Sequence, residues 1–198
     1  YESSVRGIHI IGDLTGVPLL KNAVNMGQDF VEKIGPALRD SDLEDAEFHL
    51  LIVGGGGAGL AAALAAHEMG LRTLLVEQKH PGNTINSFFK GKEIFAEPGT
   101  LPNRSRLWVE HSYKEELLER WNATIEEQKL NLVECEKVTS IRRHGASFVV
   151  ETTKGGYRAR RVALAIGRSG NPRTLGVPGE ELPKVHHVLV DPDAHSMK

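Results

Sequence analysis

Three glycines spaced Gly54-x-Gly56-x-x-Gly59 have the residue type and interval needed to cradle a pyrophosphate. They follow the apolar run Leu50-Leu51-Ile52-Val53 and lead without a break into an alanine-rich stretch. Gly54 permits a tight turn off the strand. Gly56, lacking a side chain, lets the backbone approach phosphate, and Gly59 lets the following helix pack closely on the sheet. Phosphates would sit at the helix start around Gly57 and Ala58, where unpaired N–H groups and the positive dipole end favour an anion. Glu77 closes a second apolar run, Arg72–Glu77, 18 residues after Gly59. A carboxylate there accepts hydrogen bonds from ribose hydroxyls. Gln78 and Lys79 follow it, placed either to line an adenosine or to end the strand in solvent. Strand, glycines, helix, strand and acid in this order read as a dinucleotide site.

The remaining reactive side chains carry less. Adjacent residues in a strand point to opposite faces, so His186-His187 with Asp191 make a poor metal set. Cys135 reads as a buried strand residue, Trp108 and Trp121 as packing, and Lys90, Lys92 and Arg104 as solvated loop charges. No acid, base or nucleophile stands out, so no catalytic residue is assigned. The chain has 198 residues, 40% hydrophobic and 25% charged, enough for one large domain or two small ones. A formal net charge of −2 gives no electrostatic case for nucleic acid or an anionic membrane. One cysteine excludes an internal disulfide and a C-x-x-C pair, which fits a reducing, cytoplasmic setting. No apolar run approaches a membrane span, and no signal peptide is visible.

The elements that must position these residues follow from periodicity and breakers. Val5–Ile11 reads as a strand running into Gly12-Asp13. Pro18 stands at a first helical position, apolar residues recur to Ile34, and Gly35-Pro36 is expected to stop that helix. Residues 40–47 are acidic and read as a linker. Then come a strand at 48–53, a helix at about 57–69 capped by Gly70, and a strand at 72–77. Residues 80–106 are broken by Pro and Gly into a long irregular loop. Lys114–Lys129 reads as a helix with Leu117, Leu118, Trp121 and Ile125 on one face, followed by a short strand 131–135. Runs at 137–143, 147–153 and 157–161 read as an antiparallel meander whose last member continues through Val162–Ile166 to Gly167. A further strand is expected at 185–190. The predicted class is α/β: a parallel sheet flanked by helices, Rossmann-like, with a three-stranded antiparallel β-meander.

Four features together resemble the FAD-binding domain of the thioredoxin-reductase-like pyridine nucleotide–disulfide oxidoreductases. These are the glycines with Glu77, the meander, Ala165-Ile166-Gly167 after it, and Gly7-Ile-His-Ile-Ile-Gly12-Asp13. The third is similar to the family's Ala-Thr-Gly motif with Ile for Thr, and the fourth to its second flavin motif. Leu14–Lys21 is also family-like, and Asn171–Glu180 is similar to the bacillithiol-disulfide-reductase-like branch. The resemblance implies FAD as cofactor and NAD(P)H as electron donor. Asp13 would bond a ribityl hydroxyl, with Gly12 allowing close approach. Backbone N–H groups around Leu19 and Leu20 would face the flavin. Asn83 and Thr84 would approach its ring system, Val138 would meet adenine through its backbone, and Ala165 and Gly167 would belong to the same site. Partners implied are an NAD(P)H-binding domain or a separate electron donor or acceptor, and a homodimer is compatible.

In the family the Gly-Asp motif follows an inserted NAD(P)H domain, whereas here Asp13 precedes Gly54 by 41 residues. The expectation is one circularly permuted FAD-binding domain over 1–198. Residues 1–35 would supply the second flavin motif, 40–47 the linker, 48–170 the dinucleotide fold with meander, and 171–198 a tail leading toward an NAD(P)H domain. The alternative is that 1–35 ends one unit and 48–198 begins another. An NAD(P)-binding dehydrogenase domain and a non-enzymatic or degenerate flavin scaffold are the rival readings of function.

Overall fold

The computed structural model describes residues 1–43, 45–168, 173–187 and 191. Its centre is a parallel sheet. β2 (Phe48–Val53) pairs on one side with β3 (Thr73–Val76), which pairs with β6 (Leu132–Val133). On its other side β2 pairs with the long β9 (Gly156–Leu164), and β1 (Ile8–Ile10) pairs with the end of β9. The first half of β9 belongs to an antiparallel meander with β7 (Val138–His144) and β8 (Ser147–Thr152). The α/β class with a meander is therefore the observed fold.

Both faces of the sheet are covered, which is why its strands are apolar without alternation. Leu50 and Ile52 enter a core shared with the helices, while Leu51 packs with Leu74, Val76, Phe148 and Val150 on the meander side. The helix α2 (Gly57–Glu68) is buried almost all round, so it carries alanines instead of an amphipathic stripe. Small residues also let α1 (Leu20–Arg39) lie close against it: a Cβ on Gly27 would stand 2.2 Å from the Ala58 carbonyl oxygen. α4 (Lys114–Glu127) adds Leu117 and Trp121, and the Trp121 Nε1–H donates to the Trp108 carbonyl at 2.8 Å. Leu118 and Ile125 complete the expected face as half-buried residues.

Several expectations need correction. α1 begins after Pro18, with Leu19 as its N-cap, and runs through Gly35-Pro36 to Arg39. Pro36 lies on the solvent face, where water can satisfy the carbonyl that loses its partner. Gly35 serves packing, because a Cβ there would meet Met69 Sδ at 2.3 Å. Cys135 is exposed, just beyond β6, in a left-handed conformation with φ 54°. No strand forms at 185–187, and 188–190 lie outside the described residues, as do Asn171 and Pro172.

The long loop is ordered by clamps. It contains the short helix α3 (Asn83–Asn86) and β4 (Glu93–Ile94), which pairs with β5 (Ser112–Tyr113). The buried Lys21 ammonium donates to the Pro98 carbonyl at 3.0 Å, and the Asn25 amide bonds both Pro102 O and Arg104 N–H at 2.8 Å. Buried Lys114 holds the carbonyls of Asn86 and Phe88. Arg104 is paired with Asp29 and Glu32 of α1, so it is not a solvated loop charge. Within the expected linker, Asp45 pairs with Arg158 and Glu47 accepts the Arg158 N–H.

Candidate functional site

Parallel strands all end at one edge, and at that edge a ladder of backbone hydrogen bonds fixes the spacing of five chain segments. Ile11 N–H donates to Leu164 O at 3.0 Å, and Ala165 N–H to Val53 O at 2.8 Å. Gly54 N–H donates to Val76 O and Glu77 N–H to Val133 O, both at 2.9 Å. The connection from β2 leads to β3 on one side, and β9 lies on the other. The crevice between Gly54 and Ala165 is thus the topological switch point where open α/β sheets bind ligands.

Each glycine at this edge can be asked what demands it. Gly54 has φ 106°, and a Cβ on it would stand 2.5 Å from the Ala165 carbonyl oxygen. A Cβ on Gly59 would lie 1.9 Å from the Gly54 carbonyl oxygen and 3.3 Å from Ala165 Cβ. The fold alone requires both, and it also keeps Ala165 small. Gly57 is tight against Leu20, Val24 and Trp121. Gly56 differs. It is the N-cap of α2 with φ −80° and ψ −172°, a conformation open to any residue, and nothing among the described residues lies within 4 Å of its Cβ position. Packing does not explain why this position has no side chain, and as the N-cap of α2 it would accept Ser, Thr, Asn or Asp at least as well as Gly.

Glu77 is buried beneath this loop. Its Oε2 accepts the Gly55 N–H at 2.6 Å and its Oε1 the Lys79 N–H at 2.8 Å. Each oxygen keeps a further lone pair for an incoming hydroxyl. Gln78 and the Lys79 side chain are exposed beside it. Asn83 and Thr84 lie on α3, which the Gly82 N–H joins to the Gly55 carbonyl at 2.8 Å. Val138 opens β7 and packs half-buried on the meander-side core that includes Val76. Two residues before it, the Glu136 N–H donates to Glu77 O at 2.9 Å. Sequence reasoning missed that contact, since nothing in a lone Glu after a strand marks it.

The Gly12–Thr15 segment is a 3-10 turn laid directly on α2: a Cβ on Gly12 would meet Ala58 Cβ at 2.9 Å. Gly12 adopts φ 77° and gives its N–H to Met26 Sδ at 3.1 Å, which ties the turn to α1. Asp13 is half-buried, and burial raises its carboxyl above the usual range while Arg168 pulls it down. Leu19 corrects the sequence expectation, because its N–H is already given to Val17 O at 3.0 Å. The N–H groups of α1 without an intrahelical acceptor are those of Leu20, Lys21 and Asn22. Gly167 has φ 63° and follows the exposed Ile166. Among the described residues no group of three metal-ligating side chains gathers, and no helix is long and apolar enough to cross a membrane.

Residues 51–198 match the model of a family described as pyridine nucleotide-disulphide oxidoreductase. The chain is 32% identical over 148 residues to a ferredoxin–NADP reductase of Ignicoccus hospitalis, which takes in 73% of this chain and 44% of that protein. It is 30% identical over 147 residues to bacilliredoxin reductase Bdr of Bacillus subtilis, with 69% and 44% covered. Among solved structures, bacillithiol disulfide reductase Bdr (YpdA) from Staphylococcus aureus superposes with a TM-score of 0.61 at 27% identity. That superposition covers 72% of this chain and 45% of the other. The chain thus spans less than half the length of the curated relatives it matches.

Proposed function

We propose, for a chain that belongs to the FAD-dependent pyridine nucleotide-disulphide oxidoreductase family, that it is the FAD-binding domain of a flavin-dependent oxidoreductase. The observation that carries this reading is Gly56. Gly54 and Gly59 are required by contacts within the chain, whereas the bare Cβ position of Gly56 faces open space at the N-terminus of α2. A backbone that must touch a pyrophosphate accounts for it.

Bound FAD would supply hydride and electron transfer between NAD(P)H and an acceptor. The chain's own residues would hold it along one edge. Gly56, Gly57 and Ala58 present N–H groups to the pyrophosphate, and the two free lone pairs of Glu77 accept the ribose hydroxyls. Gln78, Lys79 and Val138 border the adenosine. Asp13 accepts a ribityl hydroxyl, and the first turn of α1 around Leu20 offers positive partial charge to a reduced flavin. Ala165, Gly167, Asn83 and Thr84 border the ring system.

In this reading residues 1–35 complete a single, permuted flavin domain, joined by 40–47 to 48–170, with 171–198 leading toward an NAD(P)H-binding domain. The parallel pairing of Ile8–Ile10 with Val162–Leu164 and the seat of Gly12 on Ala58 support it.

The test is the visible spectrum of purified protein, followed by denaturation and identification of any released cofactor. An oxidised-flavin spectrum yielding FAD is expected, and Gly56→Val should abolish it while the protein stays folded. A colourless protein that also refuses added FAD would overturn the reading.

A further inference from the structure

We infer that a cavity at the sheet edge opposite the glycine loop binds a small organic anion, an apolar body carrying one carboxylate or phosphate group. The site is independent of the flavin reading. The cavity, of about 220 Å³, lies where β2 and β3 begin and where α2 and α4 end. Phe48 and the glycine loop stand at opposite ends of β2, roughly 16 Å apart at the rise of a strand.

The lining divides by chemistry. Ala63 and Leu71 are buried and Phe48 and Leu130 half-buried, and together they make an apolar floor. His67, Arg72 and Lys129 stand exposed at the rim, and no carboxylate among the described residues lines it. None of these three side chains makes a hydrogen bond or ion pair among the described residues. The acids next to lining residues in sequence are engaged elsewhere. Glu68 is paired with Arg106 at 2.7 Å, and Glu47 accepts the Arg158 N–H at 3.0 Å.

Cations after a helix end often serve its last carbonyls. Here the chain's own N–H groups already meet them. After α2, Met69, Gly70 and Leu71 donate to the carbonyls of Ala65, His67 and Ala66 respectively. After α4, Gln128, Lys129 and Leu130 donate to those of Thr124, Glu126 and Ile125. The charges are therefore left for a ligand. The field at this edge is positive beyond the rim as well. His49, whose Nδ1 accepts the Arg72 N–H at 3.0 Å, is held below its ordinary value first by burial and then by Arg72 and Arg160, with no acid opposing them. A guanidinium fork takes a carboxylate or phosphate in bidentate fashion, and an ammonium beside it adds a point charge. The floor adds apolar contact that an inorganic ion cannot make.

The test is amide NMR of the purified chain titrated with benzoate and with phenyl phosphate, beside benzyl alcohol and inorganic phosphate as controls. At least one of the two probes should give saturable shifts at 63–73 and 129–131, and the tighter of them tells carboxylate from phosphate. Both controls should bind at least about tenfold more weakly, since one lacks the charge and the other the apolar body. Arg72→Gln should weaken the tighter probe about tenfold. Lys129→Gln should weaken it too, a second reading should Arg72→Gln fold poorly. The assignment is overturned by no saturable shift there, by shifts confined to 54–59 and 77, or by unchanged affinity in both variants. Equal binding of benzyl alcohol, or of inorganic phosphate (an adventitious ion only), overturns it as well.

Discussion

The Glu77 carboxylate fastens the glycine loop to the second strand: its Oε2 stands 2.6 Å from the Gly55 nitrogen while its Oε1 takes the Lys79 N–H at 2.8 Å. The acid expected only to bind a ribose thus also builds the turn that would receive the phosphates. Glu77→Gln can offer an acceptor to one of these N–H groups and presents an NH₂ to the other. Leaving a buried donor unpaired costs about 1–3 kcal/mol. Thermal or urea unfolding of the protein without added cofactor should show that loss, and FAD affinity should fall as well. An unchanged unfolding midpoint would show that the loop holds its shape without the acid.

Gly56 and Gly59 should separate ligand from fold. Gly59→Ala drives a Cβ into the Gly54 carbonyl, an overpacking of at least about 2 kcal/mol, and should lower the unfolding midpoint first. A Cβ at Gly56 meets no neighbour within 4 Å, so the main stability cost expected of Gly56→Val is the poorer N-cap, about 1 kcal/mol. Flavin content measured beside the melting curve should be lost in Gly56→Val at a temperature where it remains folded. Equal melting losses in the two variants would contradict this division.

Asn25 should govern the order of the long loop. Its amide bonds Pro102 O and Arg104 N–H across 77 and 79 residues. Asn25→Ala leaves both backbone groups without that partner and frees the segment beside Arg104 and Arg106. Trypsin should then cut there several-fold faster than in the wild type, with a global stability loss of about 1–3 kcal/mol. A cleavage pattern that does not change would remove Asn25 from this role.

His9 should make stability fall on the acid side. Its ring is buried against Phe30, and neither ring nitrogen has a hydrogen-bond partner among the described residues. Burial, the largest influence, holds the imidazole below its ordinary value; Glu2 opposes this, while Arg161 and the amino terminus add to it. The unfolded chain therefore takes up a proton at a pH where the folded chain does not. The contribution is complete above the unfolded value of about 6.5 and drains away as pH falls toward the lowered folded value. Unfolding midpoints from pH 5 to 8 should drop on the acid side, and His9→Leu should flatten that drop. His49, also lowered by burial, will keep part of it in the variant. A parallel slope in His9→Leu would refute the assignment.

How far the sequence reaches can be judged from particular residues. β2 at Phe48–Val53 and α2 at Gly57–Glu68 fall where the apolar run, the glycines and the alanines put them, because strand and helix periods are local properties. Gly35-Pro36 misled because Pro36 falls on the exposed face of α1, where water can satisfy the freed carbonyl, and packing decides which face that is. Cys135 misled because a short strand in sequence says nothing of where its chain turns.

The α/β class, the meander and the glycine-bearing strand edge are legible in the sequence, since glycine spacing and hydrophobic period are written in consecutive residues. The tertiary structure was needed to show that β1 lies beside β9, that Gly12 rests on Ala58, and that Glu77 holds Gly55. It alone distinguished Gly56, whose missing side chain no neighbour requires, from Gly54 and Gly59, which the backbone requires. Those relations join residues tens of positions apart. Their reason is close packing, which acts on distance in space and leaves no period in the chain.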